Sequence, residues 1–289
     1  MATSRSTDRA HAGLLASPLG LGATALLLAL SAAATVTGHL KVLVIAWVAF
    51  LAMAAGALLG ARAVTTNPRR LVWGYGLASG AMVTSAAVFL LPQAIGLAPR
   101  VGGFGVAAGL LLGYGAHVVG HRLSHLDVGL DLTAAQISAH ALAAGAIIGL
   151  VYGSMPELGL LLGLAIVSHK GPAGYAAANR LLDADKPVGA LLLPAAGVGL
   201  TAIPAALLPL PDVATVNAAI FGFAAGVFLH VAMDFLPSCE VGGEVDEVCG
   251  LAERSHALLD ALRIHAVGST LVGALAVFLA WLAIGSLPA

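Results

Sequence analysis

A few ionisable side chains lie within long apolar stretches of this sequence. His140 and His169 occur in two consecutive stretches, and His230 and Asp234 lie four residues apart in a later one. Neutral imidazole binds zinc, iron, copper and nickel rather than magnesium or calcium, and facing helices can build a buried coordination site from such side chains. We therefore expect His140 and His169 to share a transition-metal site. Either histidine alone could instead serve only as a hydrogen-bonding group between helices.

Lys170 and Asp234 are the only fully charged side chains that fall deep within the apolar stretches. An unpaired lysine at membrane depth tends to lose its proton and an unpaired aspartate tends to gain one, so we expect the two to form a buried pair. Otherwise Lys170 would extend toward the membrane surface or titrate. Pro172 lacks the amide that would bond the Ser168 carbonyl, which predicts a helix break beside His169. The alternative is a kink that serves packing alone.

His117, His121 and His125 follow an HxxxHxxxH spacing, which places all three on one face of a helix that leads toward the cytoplasm. This face lies next to Asp127 and Asp131 in the sequence. Such a spacing can bind a transition metal, and it can equally be an interfacial face whose side chains titrate. Both interpretations remain open at this point.

These side chains must be positioned by membrane-spanning helices. Of the 289 residues, 60% are hydrophobic and 9% are charged, and a spanning helix needs roughly 20 apolar residues. The apolar runs are continuous rather than alternating, which excludes strands. The sequence thus predicts an all-α polytopic membrane protein with nine spans, at about 19–37, 40–61, 71–95, 101–121, 133–152, 157–179, 187–207, 213–236 and 265–285.

The positions of Lys and Arg predict the orientation of these spans, because cytoplasmic loops carry an excess of both. Only Lys41 and Arg100 fall on one side. Ten residues fall on the side of the N-terminus, namely Arg5, Arg9, Arg62, Arg69, Arg70, Arg122, Arg180, Lys186, Arg254 and Arg263. We therefore expect a cytoplasmic N-terminus and an external C-terminus, in the plasma membrane. The net charge of −1 gives no reason to expect nucleic-acid binding.

Two segments allow alternative interpretations. Residues 1–38 form a cytoplasmic N-terminus with an extra membrane helix, but a basic start, an apolar core and small residues at 31–34 also describe a cleavable signal peptide. The acidic loop 237–264 carries Cys239 and Cys249 and faces the cytoplasm, where a disulfide is not expected. We interpret this loop as a solvated cap over two helices, the alternative being a low-affinity segment that collects metal.

Four segments resemble helices of the Zrt/Irt-like (ZIP) metal transporters. They are GLASGAMVTSAAVFLLPQA (76–94), ISAHALAAGAIIGL (137–150), AIVSHKGPAGYA (165–176) and FAAGVFLHVAMDFLP (223–237), which are similar in order and separation to the family's second, fourth, fifth and seventh helices. The resemblance implies an eight-helix ZIP-like bundle over residues 40–289, preceded by one extra helix. It also implies transport of divalent metal without a cofactor, and a homodimer.

The metal-site motifs depart from the family's pattern. The family has motifs close to HNxPEG and HExPEG, whereas this chain has HALAAG from His140 and HKGPAG from His169. Both histidines match, and the resemblance adds Met82, Asp234 and His230 as further metal ligands, with Lys170 as a charge partner in the site. Alanines replace three ligands, namely Ala141, Ala144 and Ala173, and Lys170 replaces a carboxylate. A site with so few carboxylates should hold one ion at most, because Lys170 would repel a second.

Two functions follow from these features, and an enzyme is not expected. The first is transport of zinc or a similar divalent metal toward the cytoplasm. The second is a ZIP-fold protein that has lost metal transport and has a regulatory or different-substrate role. HExxH, HxxHH and GxxxxGK sequences are absent, so neither zinc proteolysis, di-iron oxygenation nor nucleotide hydrolysis is indicated.

The orientation can be tested with two cysteines placed at opposite ends of a chain whose native cysteines have been replaced. Ser4→Cys should resist an impermeant maleimide added to intact cells, whereas Ser286→Cys should react, because the Lys and Arg distribution retains the N-terminus in the cytoplasm. Labelling after cell lysis is the control for reactivity. Reaction of the Ser4→Cys protein in intact cells would overturn the predicted topology.

Overall fold

The computed structural model describes residues 17–62, 67–123, 132–155, 160–183, 185–211, 213–239 and 256–285. Nearly all of these residues are helical, and within these ranges no residue forms a strand. The all-α fold class predicted from the continuous apolar runs is therefore confirmed. An all-α fold is expected because a backbone in lipid must satisfy its hydrogen bonds within its own segment.

Ten helical segments make up the described part of the chain. They are α1 (Pro18–Val36), α2 (Leu40–Arg62), α3 (Pro68–Leu97), α4 (Pro99–Leu123), α5 (Leu132–Ser154), α6 (Leu160–Val167), α7 (Lys170–Asp183), α8 (Leu192–Ala206), α9 (Ala214–Asp234) and α10 (His256–Gly285). A 3₁₀ turn at Val188–Leu191 leads into α8. Proline occupies the first turns of α1 and α3, where its missing amide has no helical acceptor.

Seven helical stretches of the described chain are long and apolar enough to cross a membrane. They are Pro18–Val36, Leu40–Arg62, Pro68–Leu97, Ile137–Ser154, Val188–Ala206, Ala214–Asp234 and Ala257–Ala283. Each corresponds to one of the nine predicted spans. The other two predicted spans correspond to α4 and to the pair α6 and α7, and the full count of nine stays a prediction.

Three expectations about the ends of these elements are corrected by the structure. The span predicted at 157–179 is two helices, interrupted at Ser168 and His169. Helix α10 begins at His256, so the last residues of the predicted loop 237–264 are helical. Asp234 is the last residue of α9, and its side chain is 42% exposed rather than deep within a span.

The start of the predicted acidic loop is also packed rather than solvated. Cys239 is buried against Val72, Leu259 and Leu262, and Arg263 Nε donates to the Cys239 carbonyl oxygen at 3.3 Å. Burial raises the pKa of the Cys239 thiol, an effect that the Arg263 guanidinium opposes. Cys249 lies outside the described residues, so the expectation for the two cysteines as a pair stays a prediction.

The chain divides into two compact units. Unit 1 comprises Met1–Val64 and Val119–Pro211, and unit 2 comprises Thr65–Val118 and Asp212–Ala289. In unit 1, α2 packs along α7, and α8 packs along α5, α1 and α2. In unit 2, α3 packs along α10, and α9 packs along both α3 and α4.

Glycines bring the helices of these pairs into close backbone contact. A Cβ on Gly56 of α2 would overlap the Gly171 carbonyl of α7, and a Cβ on Gly80 of α3 would overlap the Thr270 carbonyl of α10. A Cβ on Gly226 of α9 would likewise overlap a carbonyl of α4. Small residues at helix interfaces are typical of membrane proteins, where association depends on close van der Waals packing.

Helix α3 contains one π-helical segment, Ala86–Leu90, which lies just before Pro92. Proline removes one helical donor and crowds the preceding turn, and a π segment is a common way for a helix to accommodate such a defect. The helix then continues to Leu97. The residue pattern LeuLeuPro therefore interrupts the hydrogen-bond register of α3 without ending it.

Helix α1 is packed into unit 1. Leu27 is fully buried and contacts α8 near Gly199, and Trp47 Nε1 of α2 donates to Ser31 Oγ of α1 at 3.0 Å. A cleaved signal peptide would leave the Leu27 position on α8 empty. These contacts describe how residues 18–36 pack, and whether the segment is retained or cleaved stays a prediction.

Leu27→Ala should destabilise the protein by about 2 kcal/mol or more, because it removes a buried side chain and leaves a cavity against α8. Leu28→Ala is the matched control, since the Leu28 side chain is 56% exposed. Thermal unfolding of the two purified variants in one detergent measures the difference. Equal stability of the two variants would show that α1 does not pack in this way.

Candidate functional site

The imidazole rings of His140 and His169 are in contact. Their centroids lie 5.5 Å apart, with the ring planes inclined at 64°. His140 lies on α5, and His169 lies in the short connection between α6 and α7, where it is buried. The proximity that the sequence predicted for these two side chains is therefore present, whereas their binding of a metal stays a prediction.

The backbone is interrupted next to this histidine pair. Ser168 and His169 form a turn, and the amide of Ala173 donates to the His169 carbonyl at 3.0 Å, which starts the hydrogen bonding of α7. Pro172 is thus the third residue of a helix rather than an interior one, so its missing amide costs little. The predicted break is confirmed, although its form is a new helix start and not a kink.

Lys170 is the first residue of α7 and is 1% exposed. Its Nζ atom has no hydrogen-bond partner among the residues that the structure describes. A buried ammonium is unfavourable unless it is paired or bonded, so the surroundings of Lys170 disfavour an unpaired charge. The positive end of the α7 dipole lies at the same place in the chain.

The alanines that replace the family's ligands are buried in unit 1. Ala141 and Ala144 lie on α5 and Ala173 lies on α7, and all three are closely surrounded by other residues. A Cβ on Gly197 of α8 would press against the Ala141 methyl group. The positions that hold carboxylate or amide ligands in the family pattern are therefore apolar here.

Helix α5 is held in register by α8. Thr201 Oγ1 donates to the Leu142 carbonyl at 2.6 Å, and a Cβ on Gly145 would overlap the Val198 carbonyl. These contacts lie within one and a half turns of His140 and fix where its side chain can reach. Sequence reasoning did not identify Thr201, although the glycines at 145, 149 and 153 form a small-residue repeat that indicates a close partner helix.

A second contact missed from the sequence supports α6. The amide of Gly163 donates to Tyr152 Oη of α5 at 2.9 Å. Gly163 lies in the first turn of α6, where backbone amides lack helical acceptors. The tyrosine thus ties α5, which carries His140, to the helix that leads to His169.

In unit 2, His230 and Asp234 lie on one face of α9, with His230 Nε2 3.3 Å from Asp234 Oδ2. The ring of His230 packs close to Gly113 of α4, where no side chain intervenes. Asp234 is thus engaged within its own unit. Lys170 belongs to unit 1, so its pairing with Asp234 stays a prediction.

Met82 is fully buried in unit 2, where it packs against Val231 and Ala232. One turn earlier, Ser79 Oγ donates to the Ala232 carbonyl at 2.7 Å. Within its own unit, the Met82 side chain is thus part of an apolar cluster between α3 and α9. Its predicted role as a thioether ligand is not tested by this packing.

The predicted metal ligands fall in both units. His140, His169 and Lys170 belong to unit 1, and Met82, His230 and Asp234 belong to unit 2. Across the described ranges, three or more His, Cys, Asp or Glu side chains do not come together in a metal-binding arrangement. His117 and His121 fall in the helical range of α4, but their side chains and His125 lie outside what the structure describes.

Comparison with models of known protein families gives no match, and no curated protein matches the chain. The ZIP resemblance therefore depends on the four quoted segments alone.

The position of His140 should depend on the close packing of the α5 glycines, Gly145, Gly149 and Gly153, against α8. Gly145→Ala should destabilise the protein by roughly 1–3 kcal/mol, because the added methyl group forces α5 away from the Val198 carbonyl of α8. Gly22→Ala is the matched control, since a Cβ there meets no other atom within 4 Å. Thermal unfolding in detergent measures both. A Gly145→Ala protein as stable as the control would refute the close α5–α8 contact.

Proposed function

We propose that this protein is a divergent ZIP-like membrane transporter that carries one divalent transition metal ion, zinc or a similar ion, toward the cytoplasm. The contact between His140 and His169 beside a helix break is the observation that carries the proposal. Interrupted helices at membrane depth are tolerated where they line a cavity, and transporters use such breaks as binding sites. The proposal includes nine spans, a cytoplasmic N-terminus and the plasma membrane.

The chemistry of the pair favours a borderline transition metal. Two imidazoles bind zinc, copper or nickel and discriminate against magnesium and calcium, which prefer oxygen ligands. The resemblance to the ZIP family would add Met82, His230 and Asp234 as further ligands. With Ala144 and Ala173 in place of carboxylates, the site should bind metal more weakly than a carboxylate-rich site.

The second candidate function is a transporter-fold protein with a regulatory or different-substrate role. The buried Lys170 next to His169 favours it, because a protonated lysine in the site would oppose a metal ion. The buried alanines at 141, 144 and 173 favour it for the same reason, since they supply no ligand atoms. The two candidates differ in whether the native chain binds metal at all.

Metal binding by the purified protein separates these candidates. Zinc should bind the native chain at about one ion per chain, and His140→Ala with His169→Ala should abolish this binding. Affinity should fall on acidification, since a protonated imidazole is not a ligand. Cu²⁺ bound in place of zinc should show nitrogen hyperfine coupling from two imidazoles in its paramagnetic resonance spectrum, and this coupling should be lost in the double variant.

His39→Ala with His265→Ala is the matched control, because it also removes two histidines but leaves the pair formed by His140 and His169 intact.

The variant Ala144→Glu with Ala173→Glu should bind zinc more tightly, provided that gel filtration shows a folded protein. Zinc uptake into liposomes by the native chain completes the test. Binding that survives loss of both histidines would place the metal elsewhere, first at His117, His121 and His125. Binding that appears only with the two glutamates would establish the second candidate.

A further inference from the structure

The start of α7 concentrates positive charge in the interior of unit 1. The 14-residue helix begins at Lys170, directly after the break at Ser168 and His169. Pro172 has no amide and the Ala173 amide donates to the His169 carbonyl, so Lys170 and Gly171 carry the remaining amides of the first turn, and the aligned peptide dipoles place a partial positive charge there. In its protonated form, Lys170 adds a positive charge at the same end.

The Lys170 side chain is directed toward this helix end. Cα–Cβ bonds in a helix tilt toward its N-terminus, so the first residue of α7 extends past the first turn rather than along the helix. Its 1% exposure removes it from solvent, and its Nζ atom has no hydrogen-bond partner in the described parts of the chain. The buried Lys170 side chain and the first backbone donors of α7 thus lie at the same end of the helix.

We propose that the N-terminus of α7 and Lys170 bind one small monovalent anion. A single balancing charge matches the one ammonium group, and backbone amides at a helix start are suitable donors for an anion. The ligand must be small, because Lys170 is almost completely enclosed and Ala173, in the same first turns of α7, is also buried. A halide or an anion of similar size meets both conditions.

This anion is a second ligand of the proposed transport site, and the inference rests on the proposed function in placing the α6–α7 break at membrane depth. It does not depend on metal binding. An anion at Lys170 would supply negative charge where Ala144 and Ala173 have removed it, beside the pair formed by His140 and His169. A metal ion bound by neutral imidazoles would then have a counter-charge within the site.

Asp234 is the other candidate partner for Lys170. In unit 2 its carboxylate lies 3.3 Å from His230 Nε2, and its side chain is 42% exposed at the end of α9. Asp234 therefore has a partner within its own unit, and its side chain is only partly covered. These two properties favour a bound anion over Asp234 as the group that balances the Lys170 charge.

Chloride is the probe for this site. The full-length protein is purified in metal-free gluconate buffer, and gluconate is replaced by chloride at constant ionic strength. Equilibrium dialysis with radioactive chloride should show saturable binding of about one ion per chain, and the melting temperature should rise to a plateau as chloride binds the native state. Absence of saturable chloride binding by the native protein would overturn the proposal without reference to any variant.

Lys170→Met should weaken chloride binding by about tenfold or more, the loss expected for one charge-assisted hydrogen bond. Lys186→Met is the matched control, because Lys186 is an exposed lysine of the same unit, and it should bind chloride as the native protein does. Unchanged binding in Lys170→Met would overturn the assignment to Lys170.

Asp234→Asn distinguishes the two partners of Lys170. Chloride binding should be the same in this variant as in the native chain, whereas binding that appears only in Asp234→Asn would show that Asp234 neutralises Lys170 and would overturn the proposal. Zinc uptake into liposomes is measured separately. Chloride binding without zinc uptake would contradict the transport proposal alone, and zinc uptake without chloride binding would contradict the anion site alone.

Discussion

Close contact between helix backbones is the constraint on which the rest of this structure depends. In lipid, apolar side chains gain little by leaving the solvent, so helices associate through van der Waals packing at positions where backbones can approach. Each unit meets this requirement with glycines placed against carbonyl groups of the partner helix. The contacts involve Gly56, Gly60 and Gly174 in α2–α7, Gly145 and Gly149 in α5–α8, Gly80 and Gly273 in α3–α10, and Gly109, Gly222 and Gly226 in α4–α9.

The same contacts position the histidine pair. Helix α5 is fixed by α8, and α7 is fixed by α2 through Gly174 and the Gly171 carbonyl. Helix α7 is short and begins in the interior, and the break at Ser168 and His169 removes helical hydrogen bonds. A short isolated helix is only marginally stable, so α7 needs the packing against α2. The anchoring of α7 on α2 therefore allows a broken backbone next to His140, and the two rings meet as a consequence of packing on either side.

Much of this arrangement was predictable from apolar runs, Pro172 and the two histidines, and the exceptions have physical causes. The start of α10 at His256 was missed because Asp260 and Arg263 lower the local hydropathy, although Leu259 and Leu262 are buried at a helical spacing of three residues. That amphipathic spacing indicates a helix. Asp234 was placed too deep because hydropathy gives no sign of where α9 ends, and the burial of Cys239 depends on α3 and α10, which are distant in sequence.

The charge around the histidine pair follows from the residues next to it. Alanine at 144 and 173 removes negative charge, while Lys170 adds a positive charge at a helix start that is already positive. Neutral imidazoles at 140 and 169 do not offset either change. A divalent cation beside a protonated Lys170 would meet repulsion unless negative charge entered with it. Under the proposed function, the two imidazoles would select a transition metal, and the charge around them would determine whether that ion is retained.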